Sequence, residues 1–229
     1  VAATSMGLGA YAEYICLPAA KAMTHIPDEL SYQQATTLPT GGLNGLHFVR
    51  KSQLQRGEKV LIVGAGGSIG TYALQLAKLE GAVVTCVDAG EKLDMLKASG
   101  ADHTIDFQLH DFTELGQSYD VIIEIAGKSS YAKCISLLNP KGRLIIGNPE
   151  LSWMLLGKLC QWFTGKKVIN ALAGYRVEDM KYLIELIQKK SVQPVIDKSY
   201  QLEQMQEAHH YVEAGHKTGN LIIEVVEEK

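Results

Sequence analysis

Residues 59–88 read KVLIVGAGGSIGTYALQLAKLEGAVVTCVD, and this stretch decides the fold. Val60, Leu61, Ile62 and Val63 form a continuous apolar run, the signature of a strand buried on both faces in a parallel sheet covered by helices. The loop GAGGSIG follows at once, from Gly64 to Gly70. From Ile69 the apolar period changes: Ile69, Ala73, Leu76 and Ala77 fall on one face of a helix expected to stop at Gly81. Val83, Val84, Cys86 and Val87 then make a second strand, which ends in Asp88.

Glycine at Gly64, Gly67 and Gly70 permits a tight turn, a close approach of the main chain to a phosphate, and close packing of helix on strand. The free N–H groups and positive end of a helix beginning near Ser68 suit a pyrophosphate. Asp88 stands where a dinucleotide fold places the acid that accepts hydrogen bonds from the adenosine ribose. Strand, helix and acid agree with the glycines, so the stretch reads as a dinucleotide site rather than a bare glycine turn.

Composition narrows the remaining classes. A chain of 229 residues that is 46% hydrophobic reads as globular, and its net charge of -3, with no basic stripe, argues against nucleic-acid binding. Cys16, Cys86, Cys134 and Cys160 are scattered, which argues against a disulfide framework or a Cys-x-x-Cys metal site and fits a reducing cytoplasm. No signal peptide is expected, and no apolar run reaches the ~18 residues of a membrane span. The first residue is Val rather than Met.

Elsewhere the chain alternates strands and helices. Tyr11 to Leu17 reads as a strand, and Ser31 with Gln34 forms a capping box for a short helix that must end before Pro39. A second helix with a glycine-rich first turn runs from Thr40 to Val49. After Asp88 come a helix over Glu91–Ser99, a strand near Thr104 and Ile105, a strand over Tyr119–Ile125, a helix over Ser129–Leu138 stopped by Pro140, a strand over Gly142–Gly147 and a sixth over Val168–Leu172. The expected architecture is α/β, a doubly wound parallel sheet of the Rossmann kind. Its ligand rim at the carboxyl ends of the strands holds Gly64–Gly70, Asp88, Ala126, Gly127 and Gly147–Pro149. Residues 151–165 carry Trp153, Leu156, Leu159 and Phe163 on one helical face, either a mobile cover over the ligand or a helix packed on the body. Helices over Met180–Lys189 and Leu202–Glu213, a strand at Val195 and a closing strand over Asn220–Val226 complete the chain and are expected to pack against its first 40 residues.

Several stretches together resemble the quinone oxidoreductase-like and zinc-type alcohol dehydrogenase-like branch of the medium-chain dehydrogenase/reductase superfamily: GAYAEYICLP at 9–18, IPDELSYQQATTLPTGGLNGLHF at 26–48, VLIVGAGGSIGTYALQLAKLEGA at 60–82, KASGADHTID at 97–106, YDVIIEIAG at 119–127 and GHKTGNLIIEV at 215–225. In that branch the first glycine of the fingerprint is commonly alanine, matching Ala65, Gly67 and Gly70. The resemblance implies three parts: residues 1–38 as the last strands of a GroES-like β-barrel catalytic domain, 39–175 as the NAD(P)-binding Rossmann domain, and 176–229 as elements returning to the catalytic domain. Most of the barrel, with the family's catalytic tyrosines or first zinc ligands, would then lie outside these residues, so the catalytic groups are not assigned.

The resemblance further implies an oxidoreductase moving hydride between NAD(P)H and a quinone, enone or related carbonyl compound. It places Ala65, Gly66, Gly67, Ser68, Ile69 and Gly70 on the pyrophosphate, Asp88 and Lys92 on the adenosine ribose, and Asn44, Gly147, Asn148 and Pro149 around the nicotinamide. Asp88 favours NADH over NADPH, since two like charges ~4 Å apart repel by up to about 4 kcal/mol at an effective dielectric near 20. Lys92 matches the lysine with which NADPH-dependent members hold the 2′-phosphate; its other reading is a solvated helix residue. Thr40 aligns with a late cysteine ligand of zinc-dependent relatives and is a poor zinc ligand, which favours a zinc-free reductase. Two alternatives stay open: a zinc-dependent alcohol dehydrogenase with upstream ligands, and a non-catalytic dinucleotide-binding fragment. The expected partner is a small-molecule substrate, and the family implies a homodimer through the edge strand near Val168. His47 is expected to pack near the domain junction, Glu124 to hydrogen-bond near the rim, and His209 and His210 to lie on the surface.

Overall fold

The computed structural model describes residues 2–3, 10–12, 14–18, 23–147, 160–170 and 174–225. The chain enters through α1 (Tyr32–Thr36), whose N-cap Ser31 accepts from Gln34 N–H while the Gln34 side chain accepts from Ser31 N–H. One π-helical turn, Leu38–Gly42, links it to α2 (Leu43–Ser52). The unit that decides the fold follows as β1 (Lys59–Val63), α3 (Ser68–Leu79) and β2 (Val83–Asp88). The helix ends as its glycine requires: Gly81 sits at φ 80°, where a side chain is strained. Then come α4 (Leu93–Ala98), β3 (His103–Asp106), β4 (Tyr119–Glu124), α5 (Tyr131–Ser136), β5 (Leu138–Ile146) and β6 (Lys167–Asn170).

The six strands form one parallel sheet in the order β3-β2-β1-β4-β5-β6. The order reverses between β1 and β4, so a crevice opens beyond their carboxyl ends. Alternation along the central strands divides the core. Val60, Ile62, Val84, Cys86, Val121, Ile123 and Ile145 face α2, α3 and the later helix α6 (Val177–Gln188). Leu61, Val63, Val87, Ile122, Leu144 and Ile146 face Phe112 and α5 on the other side. Both faces are dry, which is why these strands read as unbroken apolar runs.

Pro140 behaves differently from expectation. The helix ends at Ser136, and β5 begins at Leu138 and carries the proline within it. The register slips there, Tyr119 facing Leu138 and Val121 facing Arg143, and Lys141 takes φ 64°. A bulge tolerates proline because no ladder hydrogen bond is asked of it.

The chain closes with β7 (Ile196–Gln201), α7 (Met205–Glu213) and β8 (Asn220–Glu224), the two strands pairing parallel in a sheet of their own. α6 packs on α2, on the π-helical turn and on the two-residue strand Met23–Thr24, and Gln188 reaches Glu29. Gly45 fixes how closely α2 meets α3: a Cβ there would stand 2.8 Å from Tyr72 Cβ. Among the described residues no helix is long and apolar enough to cross a membrane. Most of the expected cover at 151–165 lies outside the described residues; within it, 160–164 is helical, with Trp162 and Phe163 exposed.

Candidate functional site

The crevice at the β1/β4 reversal is built from three loops. The first, after β1, is pressed against the second: a Cβ on Gly64 would stand 3.1 Å from Ala126 N, and Gly64 itself sits at φ 82°. Gly70 lies so close under the turn that a Cβ would fall 2.4 Å from Gly64 O. Gly67, the N-cap of α3, faces open space, with only Gly64 O within 4 Å of a Cβ built there. No side chain caps α3, so its leading N–H groups lack an intrahelical acceptor.

Asp88 ends β2 beside this loop and is buried. Its Oδ2 accepts from Gly66 N–H at 2.7 Å and its Oδ1 from Ala89 N–H at 2.9 Å. Lys92 Nζ lies 3.5 Å from Oδ1 and donates to Gly215 O at 2.8 Å. Lys92 is 8% exposed, which discards the solvated-helix alternative. Gly66 has a second duty that the motif hid: a Cβ would strike Lys92 Cδ at 2.7 Å and Asp88 Cγ at 3.0 Å. The bare Cα makes room for the ion pair.

Of the other expected positions, Ser68 and Ile69 are half-buried and Ala65 is fully buried. Asn44 lies one turn below Thr40 and donates to its carbonyl at 2.7 Å. Gly147 closes the rim, its N–H bonded to Glu124 O at 2.9 Å and its Cα against Phe48. Asn148 and Pro149 lie outside the described residues. His209 and His210 are exposed, while His47 Nε2 is buried without a hydrogen-bond partner, and burial and Lys51 lower the His47 pKa.

Glu124 is fully buried and holds the loop after β4, both carboxyl oxygens accepting from Gly127 N–H at 2.9 and 3.0 Å. Burial nevertheless pushes its carboxyl above the ordinary value of 4.5. A raised folded-state value means that the stability Glu124 contributes is fully present below 4.5 and is lost as pH rises through the folded value. The stability advantage of wild type over Glu124→Gln is therefore expected to shrink from pH 4 to pH 7 in urea unfolding; an advantage that grows over that range would contradict this.

Sequence reasoning missed the segment that crosses the loop from the far end of the chain. Gly219 N–H donates to Gly66 O at 2.7 Å, Ser68 Oγ donates to Gly219 O at 2.9 Å, and Lys217 Nζ donates to Ser68 Oγ at 2.7 Å. Lys217, Ser68, Thr40 and Asn220 line a cavity of about 440 Å³ together with Met205, Ala208, Val212 and Ile222. Gly219 carried a signal: at φ 66° a Cβ would stand 2.5 Å from Val195 O.

A helix N-terminus without a side-chain cap, a carboxylate at the tip of the next strand and two lysines beside them are arranged as in dinucleotide-binding domains of the doubly wound class. The chain belongs to the zinc-binding dehydrogenase family, whose model matches residues 99–223, within the medium-chain dehydrogenase/reductase superfamily of oxidoreductases. It is 30% identical over 234 residues to the chloroplastic quinone-oxidoreductase QR1 of Triphysaria versicolor, covering 96% of this chain and 70% of that one. A zinc-type alcohol dehydrogenase-like protein of Schizosaccharomyces pombe is 28% identical, covering 95% of this chain and 66% of its own length. The quinone oxidoreductase structure from Coxiella burnetii superposes with a TM-score of 0.79 at 26% identity, covering 90% of this chain and 63% of that one. The chain thus spans about two thirds of the length of these relatives.

Proposed function

We propose that the chain is the cofactor half of an NAD(P)H-dependent oxidoreductase that transfers hydride to a quinone, enone or related carbonyl compound. The observation that carries this reading is the glycine loop itself, open at Gly67 and flanked by Asp88, Lys92 and Lys217. The residues fit a nicotinamide dinucleotide. The loop Ala65–Gly70 would take the diphosphate at the start of α3, the N–H groups of Ala65 and Gly66 being bonded to Val87 O and Asp88 Oδ2, and Asp88, whose oxygens have lone pairs beyond those used by Gly66 and Ala89, would take the adenosine ribose. Asn44, Gly147, Asn148 and Pro149 would border the nicotinamide, which supplies the hydride when bound. The protein's part is to bind and orient. NADH is the favoured form, because the Asp88 carboxylate would repel a 2′-phosphate and the Lys92 amine is already paired with that carboxylate.

Zinc independence is part of the same proposal and rests on Thr40, whose hydroxyl is a weak ligand where a thiolate would be needed. Domain limits at 38 and 175 and pairing of two copies through β6, an edge of the sheet, also stand as proposals. A second reading is a dinucleotide-binding piece without turnover. The test is consumption of NADH by a simple benzoquinone and by a cyclic enone, with and without a chelator. Chelator-insensitive turnover is the expected result. Loss of turnover with the chelator would transfer the chain to the zinc-dependent branch, and cofactor binding without any turnover would favour the second reading.

A further inference from the structure

Lys217 lies between α7 and β8, half-buried, with its Nζ donating to Ser68 Oγ and to Gly219 O at 2.7 Å each. Ser68 is the first residue of α3, so this ammonium sits at a helix end that already carries partial positive charge. Burial lowers the Lys217 pKa, and the neighbouring Lys92 cation acts in the same direction. Asp197 opposes both, but its Oδ2 is taken by Tyr211 Oη and Thr218 N–H, each at 2.9 Å. Among the described residues no carboxylate forms an ion pair with Lys217. Asp88, the carboxylate beside the loop, is committed to Lys92.

Two lysines and a helix N-terminus thus meet at one loop, with the carboxylates of Asp88 and Asp197 near them, and Ser68 and Lys217 also line the cavity beside that helix end. An ammonium that forms no ion pair and sits at the positive end of a helix favours a bound anion. An ammonium has three protons, and Lys217 uses two. The third is free for a ligand without breaking either bond, and those bonds hold the side chain in place before any ligand arrives, which reduces the ordering cost of binding.

We infer that Lys217 is the cation that neutralises the diphosphate of the bound dinucleotide, an inference that rests on the nicotinamide reading of the glycine loop. Lys217→Met keeps an unbranched side chain one atom shorter and removes its charge. NADH binding, followed by fluorescence titration of the 229-residue chain, is expected to weaken by about 10- to 100-fold. The affinity of the variant should also depend less on salt than that of wild type, since one screened attraction has gone. Without ligand, the variant should melt no lower than wild type, because the amine removed is held there against burial and Lys92. Lys217→Arg should bind NADH within a few-fold of wild type.

These readouts separate a ligand contact from a mere strap between the chain's end and α3. Weakened binding, a flattened salt dependence and an unlowered melting temperature support the inference. Unchanged NADH binding in Lys217→Met overturns it, as does weakened binding with salt dependence intact and a lowered melting temperature. If wild type itself binds neither NADH nor NADPH while melting cooperatively, the nicotinamide reading fails and the inference falls with it. Failure of Lys217 alone appears as tight binding in both proteins.

Discussion

Gly70→Ala is expected to destabilise the chain by about 3 kcal/mol, lowering its melting temperature by roughly 6–12 °C. The added Cβ would stand 2.4 Å from Gly64 O and 2.5 Å from Ala65 Cα, and both are backbone atoms that cannot rotate away. Either the turn lifts off or α3 slides along β1. Gly67→Ala, three residues earlier, provides the contrast. Its φ of -86° is ordinary for alanine and its Cβ would enter open space, so stability should stay within about 1 kcal/mol. Its methyl group would nonetheless occupy the ground a phosphate needs, and NADH affinity should fall by at least about 10-fold. Urea unfolding and NADH titration of both variants check the pair. Equal losses of stability at the two positions, or undiminished NADH binding by Gly67→Ala, would contradict the division of labour between packing and ligand.

Asp88→Ser carries the second large effect. The substitution strips Lys92 of its carboxylate while the amine stays buried against Gly66, and breaking a buried pair from one side costs about 3–5 kcal/mol. The donation from Lys92 to Gly215 O softens this toward the lower end. NADH loses its ribose acceptor, whereas the 2′-phosphate of NADPH supplies the negative charge that Lys92 now lacks. The ratio of NADPH to NADH affinity is expected to rise by about 100-fold, since ~3 kcal/mol of repulsion is exchanged for attraction. Adding Lys92→Met should recover part of the stability and remove the gain for NADPH, a non-additive pair as expected for residues in contact. A ratio that does not move in Asp88→Ser would mean that neither residue meets the ribose.

How much was legible follows from the range of the interactions. The β1-α3-β2 unit was readable because its signals are local: an apolar run, glycines at a turn, a helical period and an acid at a strand tip within one stretch. The capping box at Ser31 and Gln34 was readable for the same reason. Pro140 reads locally as a helix stop, whereas the chain leaves the helix at Ser136 and uses the proline in a bulge set by register with β4. The burial of Lys92 was invisible because a lysine in a charged helix segment gives no hint of a partner, and Gly215 O, its acceptor, comes from the far end of the chain. Lys217 stood within a stretch quoted for its family resemblance, yet its contact with Ser68 joins residues 149 apart. Periodicity cannot report such a contact; the mark it leaves in the sequence is the glycine beside it, Gly219, where a side chain would be strained and would strike Val195.

The most direct test of the central claim is a fluorescence titration of the unmodified chain with NADH and NADPH, run beside a circular dichroism melt. Saturable binding of about one equivalent, tighter for NADH, is the expected result. A chain that melts cooperatively and binds neither cofactor would contradict it.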